Sequence, residues 1–144
     1  MRQHTIYLLL ATLLLTACGS AYSTSGETNL DNVPEEDIVK ISSEDVEYEI
    51  IIIEPGFNTW LATSARPEGY YSQSFMESRN WIFVQEWNSR VLQPNRHNPN
   101  LYEMRIDYRP NIDYGYDLNY KLYNYFIYFQ LTHDQKLSTI IPRI

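Results

Sequence analysis

The sequence predicts an α+β domain, a small, mainly antiparallel sheet packed by two main helices, preceded by a signal peptide and an acidic flexible tether. Three observations carry this. Twelve apolar-rich residues, Ile6 to Ala17, stand ahead of the chain's only cysteine, Cys18. Between Cys18 and Glu49, nine acids (Glu27, Asp31, Glu35, Glu36, Asp37, Glu44, Asp45, Glu47 and Glu49) face Lys40 alone, whereas Ile50 to Ile144 carries nine acids and nine bases. Beyond residue 45, segments of period two alternate with segments of helical period.

The apolar run follows Arg2 and is too short for the ~20 residues of a spanning helix, so residues 1–17 read as a secretory signal. It ends in Leu15-Thr16-Ala17-Cys18. A thiol at that place can take a diacylglyceryl thioether before cleavage leaves it as the new N-terminus. The plain alternative is a buried N-terminal helix. Each buried methylene contributes about 0.8 kcal/mol and a single acyl chain holds only marginally, so the two or three chains of a mature lipoprotein would anchor stably. With its sulfur alkylated, Cys18 offers neither disulfide nor nucleophile.

Residues 18–45 hold Ser, Thr, Asn, Gly and Pro with few large apolar groups, and they read as a tether. As a coil, 19–43 would span about 25 to 30 Å. Its acids suit repulsion from an anionic membrane face, recognition by sorting machinery, or mere solvation. Gly19-Ser20-Ala21-Tyr22 after Cys18 carries no acidic run, which favours the periplasmic face of an outer membrane over export.

The remaining 46–144 is enough for one small domain with one core. Val46 to Glu54 alternates and then turns continuously apolar through Ile50-Ile51-Ile52-Ile53, which predicts a strand covered on both faces in its second half. Pro55-Gly56 stops it. Phe57 to Ser64 reads as a short helix or turn. Ser74-Phe75-Met76-Glu77 has the form of a capping box, and Met76, Asn80, Phe83, Val84, Trp87 and Val91 then recur at helical spacing until Pro94. Leu101 to Arg109 alternates like a half-exposed strand. Tyr116 to Leu131 reads as a largely buried helix with one wet stripe at Asp117, Lys121, Asn124 and Tyr128, a strand being the alternative. Lys136 to Ile141 would supply a last strand.

Chemistry is sparse. His97 and His133 lie far apart without a ligand at i+3 or i+4, so surface histidines explain them better than a metal site. Phosphate loops, nucleophile elbows and zinc-protease motifs are absent, and no catalytic residue or cofactor is expected. Glu103 with Asp107, or Asp113 with Asp117, has the residue types of a glycosidase pair, but a chain with 18 acids yields such pairs by chance. The near-neutral charge of 50–144 argues against nucleic acid.

Eight tyrosines fall between Tyr102 and Tyr128 with Asn111, Asn119 and Asn124 among them. Tyrosine offers a flat face with a rim hydroxyl and Asn both donates and accepts, so the pair suits glycans or protein partners. The alternative is a core filled with tyrosine bodies. Candidate partner or glycan contacts are Trp60, Tyr70, Tyr71, Asn88, Tyr114 and Tyr116.

Glu86-Trp87-Asn88-Ser89-Arg90, the pair Asp107-Tyr108, and Tyr114-Gly115 with Asn119-Tyr120-Lys121-Leu122-Tyr123-Asn124-Tyr125-Phe126 carry a resemblance. Over roughly Tyr48 to Leu137 the chain resembles an uncharacterised family of short Gram-negative lipoproteins with one domain of unknown function. The resemblance implies no activity, substrate or cofactor, and of functional residues only the lipidated cysteine. The expectation is a non-catalytic interaction module, anchored to the membrane by N-terminal acyl chains and meeting another envelope protein or a glycan. A glycan hydrolase and a carbohydrate-binding domain are the alternatives.

Overall fold

The computed structural model describes residues 30–141. Its first regular elements lie inside the stretch expected to be tether. Glu35–Asp37 form one 3-10 turn, and Ile38–Ser43 form strand β1 with Val39 and Ile41 buried. β1 pairs antiparallel with β2, Tyr48–Ile53, placing Ile41 opposite Ile50 and Ser43 opposite Tyr48. Ser43 Oγ closes the connection by accepting the N–H groups of Asp45 (3.2 Å) and Val46 (3.3 Å). A domain boundary at residue 46 therefore cuts a hairpin. Composition hid β1 because it holds only three apolar residues, Ile38, Val39 and Ile41, within a polar, acidic stretch. The expected signal peptide, Cys18 and the expected tether up to residue 29 lie outside the described residues.

The sheet has these two strands among the described residues, and helices cover one face only. Inward stand Val39, Ile41 and Ile50; outward stand Lys40, Glu49, Ile51 and Ile53. The second half of β2 is thus not covered on both faces, since Ile51 is 39% and Ile53 41% exposed. Lys40 and Glu49 pair across the outer face at 2.7 Å, an exposed contact of small energetic worth.

Pro55-Gly56 ends β2, and helix α1 follows at Phe57–Thr63. Gly56 has φ +82°, a left-handed conformation that favours glycine, and a Cβ there would lie 2.8 Å from the Tyr128 hydroxyl and would have to displace it. Helix α2 spans Gln73–Val91 and buries Met76, Asn80, Phe83, Val84 and Trp87 as its spacing predicts. Its cap is Ser72, whose hydroxyl accepts from Phe75 N at 3.3 Å, two positions before the predicted box. Glu77 instead accepts from Gln73 Nε2 at 2.8 Å.

Helix α3, Gly115–Thr132, is the spine of the core and packs against α2, β1 and α1. The helix reading of this segment holds, with one error in its stripe. Asp117 and Lys121 are exposed and Tyr128 is half-buried, but Asn124 is buried, its Nδ2 donating to Tyr120 O at 2.8 Å. A back-bonded amide needs no water, so a polar residue can occupy a dry face.

Neither later strand forms. Residues 103–109 alternate partly in burial, yet α2 side chains bind their backbone in place of a ladder. Asn88 donates to Ile106 O and accepts from Ile106 N, each at 2.8 Å, and Trp87 Nε1 donates to Met104 O at 2.8 Å. Past α3, Leu137 is buried with its N–H given to Gln130 Oε1 at 2.9 Å, and Arg90 donates to Lys136 O. The sum is an α+β fold in which α3 packs against the small antiparallel sheet and α2 packs against α3 rather than against the strands. Among the described residues no helix is long and apolar enough to cross a membrane.

Candidate functional site

Helix α1, the loop after it and the first turns of α3 line a shallow groove of about 450 Å³ formed by Asn58, Leu61, Ala62, Glu68, Asp117, Tyr120 and Lys121. Two tyrosines of α3 fix its far wall. Tyr116 Oη accepts from Gly69 N at 2.6 Å and donates to Tyr71 O at 3.4 Å, while Tyr120 Oη donates to Arg66 O at 2.8 Å. Their rings stack at 6.1 Å and 12°. Burial, helped by neighbouring Glu68 and Tyr116, pushes the Tyr120 phenol above its usual range, so it stays a neutral donor.

The donors of the groove are engaged. Asn58 Nδ2 gives to Glu36 O and Ile38 O, each at 3.0 Å, and Lys121 Nζ reaches Lys40 O at 3.5 Å. What the wall offers a visitor is chiefly acceptors, the carboxylates of Glu68 and Asp117 and Asn58 Oδ1, above an apolar floor of Leu61 and the Tyr120 ring.

The six sequence candidates divide. Tyr70, Tyr71 and Tyr116 meet around the 66–71 loop. Tyr70 is 57% exposed with the Arg66 guanidinium 5.0 Å above its ring. Tyr71 meets Tyr70 edge-on at 4.7 Å, stacks on Phe75 at 4.8 Å and 10°, and Arg79 caps Phe75 at 5.1 Å. Trp60 packs between Phe57 and Tyr128. Asn88 has both amide atoms on Ile106. Tyr114 is buried between Tyr48 (4.7 Å) and Tyr108 (5.0 Å), its hydroxyl accepting from Arg109 N. Those three hold the fold together.

Six of the eight tyrosines from Tyr102 to Tyr128 are buried and the other two half-buried, which is the core-filling alternative and removes the main support for a glycan platform there. Burial raises Tyr123 to about 12 and moves Tyr48, Tyr108 and Tyr125 further up. Each of the named acid pairs has one member engaged elsewhere. Asp113 Oδ1 accepts from Gly115 N (3.0 Å) and Gln73 Nε2 (2.7 Å), and Asp107 pairs with Arg109. The groove pair Glu68 and Asp117 went unread because the two are far apart in sequence and share no spacing.

Neither histidine is free on the surface. His97 lies edge-on to Tyr102 at 5.9 Å, and His133 Nε2 is 3.1 Å from Glu54 Oε1. Glu54 is buried at the end of β2, and desolvation, partly offset by His133, pushes its carboxyl above the usual range. Among the described residues no three His, Cys, Asp or Glu gather as a metal site would require.

One further surface stands out by composition. The most exposed positions of α2 are Ser74, Ser78, Trp81 (36%), Ile82 (39%), Gln85 and Ser89, with Leu92 just beyond its end, and none is charged. Its charged residues Glu77, Arg79, Glu86 and Arg90 flank that stripe and are half-buried. Sequence reading fastened on the inner positions of this helix; the uncharged complement was equally visible.

Residues 6–141 match a family of unknown function (DUF6146). No curated protein and no solved structure matches the chain.

Proposed function

The chain belongs to that family of unknown function, and on this premise we propose that it is a lipid-anchored envelope protein, held by acyl chains on Cys18 at the periplasmic face of the outer membrane and acting as a non-catalytic interaction module. The anchor reading rests on Leu15-Thr16-Ala17-Cys18 after the short apolar run. The observation that carries the interaction reading is the outer face of α2. A solvated helix face is ordinarily rich in charge, whereas the centre of a protein interface is depleted of charge and enriched in tryptophan, and this face joins Trp81 and Ile82 with small uncharged residues.

Two measurements test it. Mass spectrometry of the mature N-terminus should find acylated Cys18, and a photoreactive residue at position 81 should cross-link to protein in intact cells while one at position 58 does not. An unlipidated mature start elsewhere would sink the anchor, and equal labelling from both positions would sink the face.

The groove favours a second reading, a glycan contact. Free acceptors at Glu68, Asp117 and Asn58 above an apolar ring suit a ligand rich in hydroxyl or amino donors. Titrating envelope glycan fragments against the protein and its Glu68→Gln/Asp117→Asn variant tests this; identical responses would dismiss it.

A further inference from the structure

We infer that the outer face of α2 pairs antiparallel with the same face of a second copy of this chain, about a two-fold axis passing between Ile82 and Phe83. The inference rests on the interaction reading and names the partner. Ser78, Ile82, Gln85, Ser89 and Leu92 follow one another at steps of four and three, the spacing that keeps one seam facing a neighbouring helix. Ile82 is also the middle residue of Gln73–Val91. A two-fold axis there therefore overlaps the whole length of both helices.

Charge selects the direction. Arg79 and Glu86 stand seven positions apart on one flank of the stripe, so they share that flank about 10 Å apart along the axis. They are equidistant from the proposed axis. In an antiparallel pair each flank meets its own counterpart, so Arg79 of one copy stands opposite Glu86 of the other, twice. A parallel pair has no such match, because it turns that flank towards the opposite flank of the partner and so keeps Arg79 from Glu86. Both groups keep capacity for the contact. Arg79 lies over Phe75 and has no hydrogen-bond acceptor among the described residues, and Glu86 uses only Oε1, on Arg90. Ser78 and Ser89 along the seam let the backbones approach at the short end of the ~8–10 Å range for packed helices.

The test uses the full chain in detergent micelles, followed by sedimentation. A dimer is expected. Arg79→Glu should weaken it about tenfold or more, and Arg79→Glu combined with Glu86→Arg should recover it, with helical circular dichroism unchanged. In cell membranes, Ile82→Cys should be joined by a short bis-maleimide into a dimer that neither the parent chain nor Asn58→Cys gives. A monomer at all concentrations without that cross-link would overturn the pairing. If position 81 then still labels a different protein, the interaction reading survives alone; if it labels none, both fall.

Discussion

Asn119 Oδ1 accepts two hydrogen bonds inside the core, from Asn80 Nδ2 at 3.0 Å and from the Tyr108 hydroxyl at 2.7 Å, and so ties α2, α3 and the 103–109 segment at one atom. Asn80 Nδ2 also reaches Asn119 O at 3.1 Å, and Asn119 Nδ2 gives to Gly115 O at 2.8 Å. Both asparagines are fully buried. Asn80 Oδ1 is buried without a partner, and in a low-dielectric core the junction still favours one packing, because a slip would strand further polar groups.

Asn119→Ala should destabilise by at least about 2 kcal/mol, since it strands the Tyr108 hydroxyl and leaves Asn80 with the backbone carbonyl alone. Tyr108→Phe keeps the Asn80 bond and should cost about 1 kcal/mol. Urea unfolding of both variants checks the order, and equal losses would show that the shared oxygen is not the junction.

Leu122→Ala and Phe126→Ala should each cost about 2 to 5 kcal/mol, because both side chains are fully buried on α3. Exposed Lys121→Ala should stay within about 0.5 kcal/mol. Asn124→Ala should cost about 1 to 3 kcal/mol, because a buried amide and its bond to Tyr120 O are lost. Thermal unfolding of the four variants separates the dry faces from the wet one.

The long helices were readable because their apolar spacing is local and dense. Asn124 misled because sequence shows polarity and not where a side chain bonds. Residues 101–109 misled differently: their alternation is genuine, but Asn88 and Trp87 on α2 take the backbone groups a strand would have paired. β1 was lost among the surrounding acids. The groove is invisible in sequence, since folding alone brings Glu68 and Asp117 to the lining of one groove.

Val39 and Ile41 are buried in β1, so Ile41→Ala should destabilise by about 2 to 5 kcal/mol. A chain starting at Asp45 should not reach the cooperative unfolding transition of one starting at Leu30. Equal transitions in calorimetry would return 38–45 to the tether.

Glu54 carries a raised carboxyl, burial being the larger cause and His133 opposing it. A native state that holds its proton more tightly than the unfolded chain gains most below the ordinary carboxyl range. That contribution is lost as pH rises through the raised value. Glu54→Gln should therefore flatten the stability profile across this window, and denaturation midpoints between pH 4 and 7 that fall alike in both proteins would exclude Glu54 as the source.

Gly56→Ala should cost more than about 1 kcal/mol, for the left-handed backbone and for the approach of Tyr128 Oη. Tyr128→Phe in the same chain should recover only the second part. A double-mutant cycle measures the split.

Arg90 joins parts of the chain that never follow one another. Its guanidinium holds Glu86 on its own helix, the Tyr102 hydroxyl at 2.7 Å, Gln135 Oε1 at 3.3 Å and the Lys136 carbonyl, while Tyr102 itself donates to Gln135 at 2.9 Å. The stretch after α2 and the stretch after α3 thus share one fastening. Neither can lift away without stranding the hydrogen bonds of the other, so they should open as one sub-global unit, and hydrogen-deuterium exchange should find their amides exchanging at a common rate.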